Sequence, residues 1–210
     1  MCSLHNVRER EWTRFVNGHF EEKPAETPEI GGDKRLPTDE LRRLWRQFNQ
    51  TAAKTKNHDR IARLVGRWSM EGEFDACGYG PHYDCDGSVV GTPVFSGRFV
   101  QLDWAINSAL DSWNLRFLFG YDPIMEKYTA IMIESLHNGM MVSEAEWREE
   151  DQTLRFWGEI SNPMFRTRHD CLMIFQFEDE DSVLITMNVP DREGKFQETS
   201  RFELSRDARA

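Results

Sequence analysis

The chain has 210 residues, of which 39% are hydrophobic, with 14 Phe and 7 Trp; this suffices for one domain with a packed core and excludes a tandem array. Its 36 acidic against 26 basic residues give a net charge of −10, which argues against a nucleic-acid partner or an anionic membrane surface. No apolar run approaches the roughly 20 residues of a membrane span, and Met1 to Trp12 lack the apolar core of a signal peptide, so the expected location is cytoplasmic.

Residues 1–36 mix charge with Pro24, Pro28, Gly31 and Gly32 and read as a flexible or partly helical arm. From Pro37 the pattern changes. Thr38 can cap, Asp39 and Glu40 suit the positive end of a helix dipole, and Leu41, Leu44, Trp45, Phe48 and Ala52 recur at helical spacing, which predicts a helix over about 38–55. A second short helical turn follows over 58–64, with Ile61 and Leu64 inward and Gly66 ending it. Residues 37–65 are therefore expected as a helical segment packed on the main body.

After Gly66 the hydrophobic period drops to two. Segments rich in Val, Ile, Thr, Phe, Trp and Tyr alternate with turn chemistry such as Asp86-Gly87, Asp122-Pro123, Asn138-Gly139, Asn162-Pro163 and Glu193-Gly194. Strands are predicted at 67–74, 88–95, 97–106, 113–120, 126–134, 140–148, 153–160, 164–177, 182–189 and 195–205. The spacing leaves no room for crossover helices, so consecutive strands pair antiparallel, and a meander of this length hides its edges by closing. The expected fold is mainly β, an antiparallel barrel over 66–206. Alternation places Val100, Leu102, Trp104 and Ile106 on one face, and Trp113, Leu115, Phe117 and Phe119 on one face of the next strand.

Leu64-Val65-Gly66-Arg67-Trp68 sets a Gly-x-Trp at the switch from helix to first strand. This resembles the opening motif of the calycin barrels, the lipocalins and their relatives, in which the Trp plugs the closed end. A large ring fills a tapering barrel end, and Arg201 or Arg206 on the last strand can lay a cation over its face. A longer stretch, from about residue 58 to 206, is similar to bacterial domain-of-unknown-function family 1579. The resemblance is carried by His58, Ile61 and Leu64 to Trp68, by Phe119-Gly120-Tyr121-Asp122-Pro123 with Lys127-Tyr128, and by Glu134-Ser135 where the family has Asp-Ser. Asp191-Arg192-Glu193-Gly194-Lys195 and Glu198 to Phe202 complete it, with Phe202 in place of a Tyr. The resemblance implies a lipocalin-like barrel and no particular reaction.

A calycin-like barrel points to a small apolar or amphipathic ligand in its cavity. The candidate contacts are the aromatics Trp68, Trp104, Tyr121, Tyr128, Trp147 and Trp157, with Arg98, Arg166 and Arg168 as positioning cations. An enzyme of isomerase or hydrolase type would instead use an inward Tyr or a strand carboxylate, from Glu134, Glu144, Glu146 and Glu159. A third reading is an interaction module whose arm and helix dock a partner or a second copy, making a homodimer. No cofactor is expected. The alternatives are zinc at Cys77, His82 and Cys85, and haem on His169. The four cysteines are too sparse for a disulfide framework and are expected as thiols.

Overall fold

The computed structural model describes residues 37–51, 53–75, 80–136, 138–162, 166–191 and 193–207. The predicted arm over 1–36 and Cys77 lie outside these residues. The chain divides into two units, residues 1–45 and 46–210.

Helix α1 spans Thr38–Thr51, with Asp39 and Glu40 in its first turn. Its apolar stripe is exposed at Leu41, Leu44, Trp45 and Phe48. It ends short of the predicted 55 because Thr55 takes extended backbone and caps a second helix, α2, at Lys56–Ala62. There the Thr55 hydroxyl accepts from the Asn57 N–H, and His58 Nδ1 accepts from the Thr55 N–H at 3.0 Å. This is a capping box with imidazole where Glu or Gln is usual.

Ten strands follow: β1 Gly66–Asp75, β2 His82–Val94, β3 Phe99–Ser108, β4 Ser112–Asp122, β5 Lys127–Glu134, β6 Met140–Arg148, β7 Thr153–Asn162, β8 Thr167–Phe177, β9 Ser182–Pro190 and β10 Phe196–Arg206. Each pairs antiparallel with its neighbours in sequence, and β1 pairs with β10 to close the barrel. All ten predicted strands are present. The largest boundary change is in β2, which begins at His82 rather than 88, because Asp86-Gly87 lies within the strand instead of making a turn; the other ends move by three residues or fewer. A Cβ at Gly87 would sit 2.0 Å from the Ala105 carbonyl oxygen, so glycine is required there by the close approach of β3.

Period-two alternation sends one face of every strand inward. Four rings interlock in the barrel interior: Phe119 lies 5.3 Å from each of Phe117, Phe156 and Phe175, centroid to centroid, and Phe117 meets Phe175 edge-on at 5.9 Å. All four are buried. Burying each contributes roughly 1.5–3 kcal/mol, so this cluster is a major part of the core.

Candidate functional site

The two ends of the barrel differ. At one end β1 starts, β10 finishes, and α2 lies across the opening. Trp68 is fully buried there and donates from Nε1 to the Leu64 carbonyl at 3.1 Å. Of the two cations weighed as its partner, Arg206 takes the role, with its guanidinium carbon 3.9 Å from the ring centroid. Arg201 pairs instead with Glu198 at 2.8 Å. Arg206 also donates to the carbonyls of Val65 (2.8 Å), Arg63 (2.9 Å) and Glu180 (2.8 Å). The glycine of the Gly-x-Trp follows from this arrangement. Gly66 sits at φ +133°, and a Cβ on it would meet Arg206 Nη1 at 2.6 Å.

Helix α2 completes this seal. His58 packs edge-on against Tyr121 at 5.7 Å, and Tyr121 lies 4.9 Å from Tyr128. Arg60 lies over the Trp147 ring at 4.7 Å and pairs with Glu149, which accepts from Trp147 Nε1. Burial holds the His58 imidazole below its ordinary pKa. Burial raises that of the Tyr128 hydroxyl, against the pull of the Arg60 guanidinium beside it. In the Gly120-Tyr121-Asp122-Pro123 turn, the Asp122 carboxylate accepts from the Ile124 and Met125 N–H groups at 2.8 and 3.1 Å. That motif is a structural turn.

Toward the other end the interior is hollow. A cavity of about 780 Å³ extends from Trp104 and Phe117 to the loops that join β3 to β4, β5 to β6 and β9 to β10. Its size falls within the roughly 300–1,000 Å³ of small-molecule sites. Its walls are Phe74, Ile106, Trp113, Leu115, Met132, Ile160, Met173, Ile185 and Phe202, with Glu134, Asn162, His169 and Ser200 among the polar groups. Trp104 meets Phe202 edge-on at 5.6 Å, and its buried Nε1–H finds no acceptor. Leaving such a donor unpaired costs about 1–3 kcal/mol.

Of the nine contacts proposed from sequence, Trp104 is the one that lines this cavity. Trp68, Tyr121, Tyr128 and Trp147 belong to the sealed end, as described. Arg98 sits in the turn after β2, donating to the Phe95 carbonyl at 3.1 Å. Trp157 faces outward against Phe196, Arg166 is exposed, and Arg168 is an outward ion pair with Glu159 at 3.0 Å. Among the strand carboxylates, Glu144 pairs with Lys127 outside the barrel and Glu146 is exposed, while Glu134 lines the cavity. Among the lining residues that sequence reasoning missed as contacts, Ile106, Trp113, Leu115 and Phe117 stood on faces that alternation had already identified.

The zinc alternative loses its convergence. His82 lies on the outer side of β2 beside Glu73, at 3.7 Å, and Cys85 is buried on the opposite side. Among the described residues no three His, Cys, Asp or Glu side chains are grouped to hold a metal. His169, the haem candidate, does line the cavity, and its Nε2 lies 2.7 Å from the Thr167 hydroxyl. Cys85 and Cys171 are free thiols, with burial pushing their pKa values up to about 11 and about 12. Among the described residues no helix is long and apolar enough to cross a membrane.

Fold and site together define a closed ten-stranded antiparallel barrel, packed and capped at one end and hollow at the other, consistent with a lipocalin-like barrel. Residues 53–206, which include α2 and every strand, match the family described as Protein of unknown function (DUF1579). The chain belongs to that family. No curated protein matches it.

Proposed function

We propose that this protein binds a small apolar or amphipathic molecule inside its barrel. The observation that carries the reading is the contrast between the two halves of one interior: interlocked phenylalanines in one, and about 780 Å³ of aromatic- and methionine-lined space in the other. A protein interior ordinarily closes to near crystalline density, so a cavity of this size is a cost that ligand binding would offset. A cytoplasmic location belongs to the same reading, supported by two buried free thiols.

The test is native mass spectrometry of the freshly purified full chain, together with titration by a neutral environment-sensitive dye, N-phenyl-naphthylamine. A retained small-molecule mass or saturable dye binding is expected. Met173→Trp should then abolish dye binding at little cost in stability, because it fills space that is empty. The same change in a filled core would cost about 1–3 kcal/mol. A ligand-free mass with no dye binding would overturn the proposal. An enzyme in the same cavity is the second reading, favoured by Glu134 and His169 sharing its wall. A retained molecule recovered chemically unchanged after prolonged incubation counts against it.

A further inference from the structure

The charges at the cavity mouth fall on one side. Five carboxylates line it: Asp75 at the end of β1, Asp111 in the β3–β4 turn, Glu134 at the end of β5, and Asp191 and Glu193 after β9. Among the described lining residues there is no Lys or Arg. The two described cations of the loops at this end, Arg166 and Lys195, are not part of the lining. Two of the carboxylates, Asp111 and Asp191, accept from neutral backbone donors that fix their oxygens and leave the charge intact. Asp111 accepts from the Ser112 N–H at 2.7 Å, and Asp191 from the N–H groups of Glu193 and Lys195 at 2.9 and 2.8 Å. The backbone bond from Lys195, with others, keeps the Asp191 carboxyl below its usual range, so it stays ionised at neutral pH.

A second feature stands at the same mouth. Trp113, which opens β4, meets Phe74 edge-on at 4.9 Å, and both rings line the cavity. Aromatic faces beside carboxylates attract cations, quaternary ammonium groups above all, through the ring quadrupole and ordinary charge attraction together. Deeper in, the walls at Trp104, Phe117 and Met132 are apolar. From Trp104 to the end of β3 at Ser108 the strand rises about 13 Å, at roughly 3.3 Å per residue, a length of the order of a decyl chain.

We infer that the ligand is an organic cation, an amine or quaternary ammonium on an apolar body, with its head among the mouth carboxylates and its tail toward Trp104. An anionic amphiphile such as a fatty acid would bring a carboxylate into a field of like charge and is disfavoured. This inference rests on the ligand-binding reading above, and the experiment separates the two.

N-phenyl-naphthylamine bound to the full chain is displaced at neutral pH by decyltrimethylammonium, decanol and decanoate in parallel. Decyltrimethylammonium should compete at least tenfold better than decanoate, with decanol between them. Raising the salt should shrink that ratio several-fold, since exposed charges are screened within about 10 Å at 0.1 M. In the Asp111→Asn, Glu134→Gln, Glu193→Gln triple variant the ratio should fall to within about threefold of unity. Because a ratio is measured, any change common to all competitors cancels, and the salt series stands should the variant not fold. If neither the dye nor decanol binds, the cavity reading itself fails. If both bind and decanoate competes as well as decyltrimethylammonium, or the ratio ignores salt, the cation assignment is overturned while the cavity reading stands.

Discussion

Arg206 is the residue whose loss should most clearly expose how the sealed end is held. Its guanidinium covers Trp68 and reaches three carbonyls, two of which, Val65 and Arg63, belong to the turn between α2 and β1. In Arg206→Ala the two partly buried bonds cost about 1 kcal/mol each. The cation over a fully buried ring contributes about 1–2 kcal/mol, and the exposed bonds and the Asp181 pair contribute at most about 1 kcal/mol. Together these predict a loss of about 3–5 kcal/mol, a large part of the roughly 5–15 kcal/mol that folded domains have. Urea unfolding, with a slope near 2 kcal/mol/M, should show the midpoint falling by about 2 M. Arg206→Lys keeps the charge and loses the planar fork, and should recover less than half of the deficit. A double-mutant cycle with Trp68→Phe should report a coupling of about 1 kcal/mol. A cost below about 1 kcal/mol for Arg206→Ala, or a lysine variant equal to the native protein, would refute this account of the seal.

Gly66→Ala should cost about 2–3 kcal/mol in the same assay, since it combines an unfavourable φ of +133° with a collision at Arg206 Nη1. Placed in an Arg206→Ala background it should cost less, the collision being gone and the backbone strain remaining. His58 is buried with its pKa lowered, so the folded chain holds it neutral. Its contribution to stability is complete above the ordinary value of 6.5 and is lost as pH falls below it, where the unfolded chain binds the proton first. His58→Gln keeps a capping-box acceptor without a titrating group. The variant should therefore lose less stability than the native protein between neutral and mildly acidic pH, and identical slopes would count against the assignment. Iodoacetamide at mildly alkaline pH should leave Cys85 and Cys171 unmodified in the native state and alkylate both in denaturant, as peptide mapping would read, because burial holds both thiols protonated.

The strands were legible because burial on one face imposes a period of two, and each turn announces itself through Asp, Asn, Gly or Pro. Where the turn signal misled, at Asp86-Gly87, the glycine serves a close approach between strands instead, and nothing local distinguishes the two uses. The hollow end was less legible. Alternation tells which side of the sheet a residue faces and is silent about its height along the barrel axis. Trp68, Trp104 and Trp113 all face inward, yet one seals the barrel and two line the cavity. Trp157 was misleading for a simpler reason: its neighbour Phe156 holds the inward position, so parity sends Trp157 out to Phe196. The arginines of β4 and β8 face outward and answer cross-strand carboxylates, Asp103 for Arg116 and Glu159 for Arg168.

The pairing of β1 with β10 sets Trp68 opposite Arg206 and Phe74 opposite Ser200, so the earliest strand of the ring meets the last. During synthesis, therefore, the sheet emerges open. Until β10 leaves the ribosome, β1 and β9 both present unpaired edges, and the space later bounded by Phe202 and Ser200 has a missing wall. The β1–β10 pairing also closes the longest chain loop in the sheet, and so carries the largest loop-closure entropy of any strand pair. A chain that stops short of β10 would have neither a sealed end nor a cavity, and would be exposed to edge-to-edge aggregation.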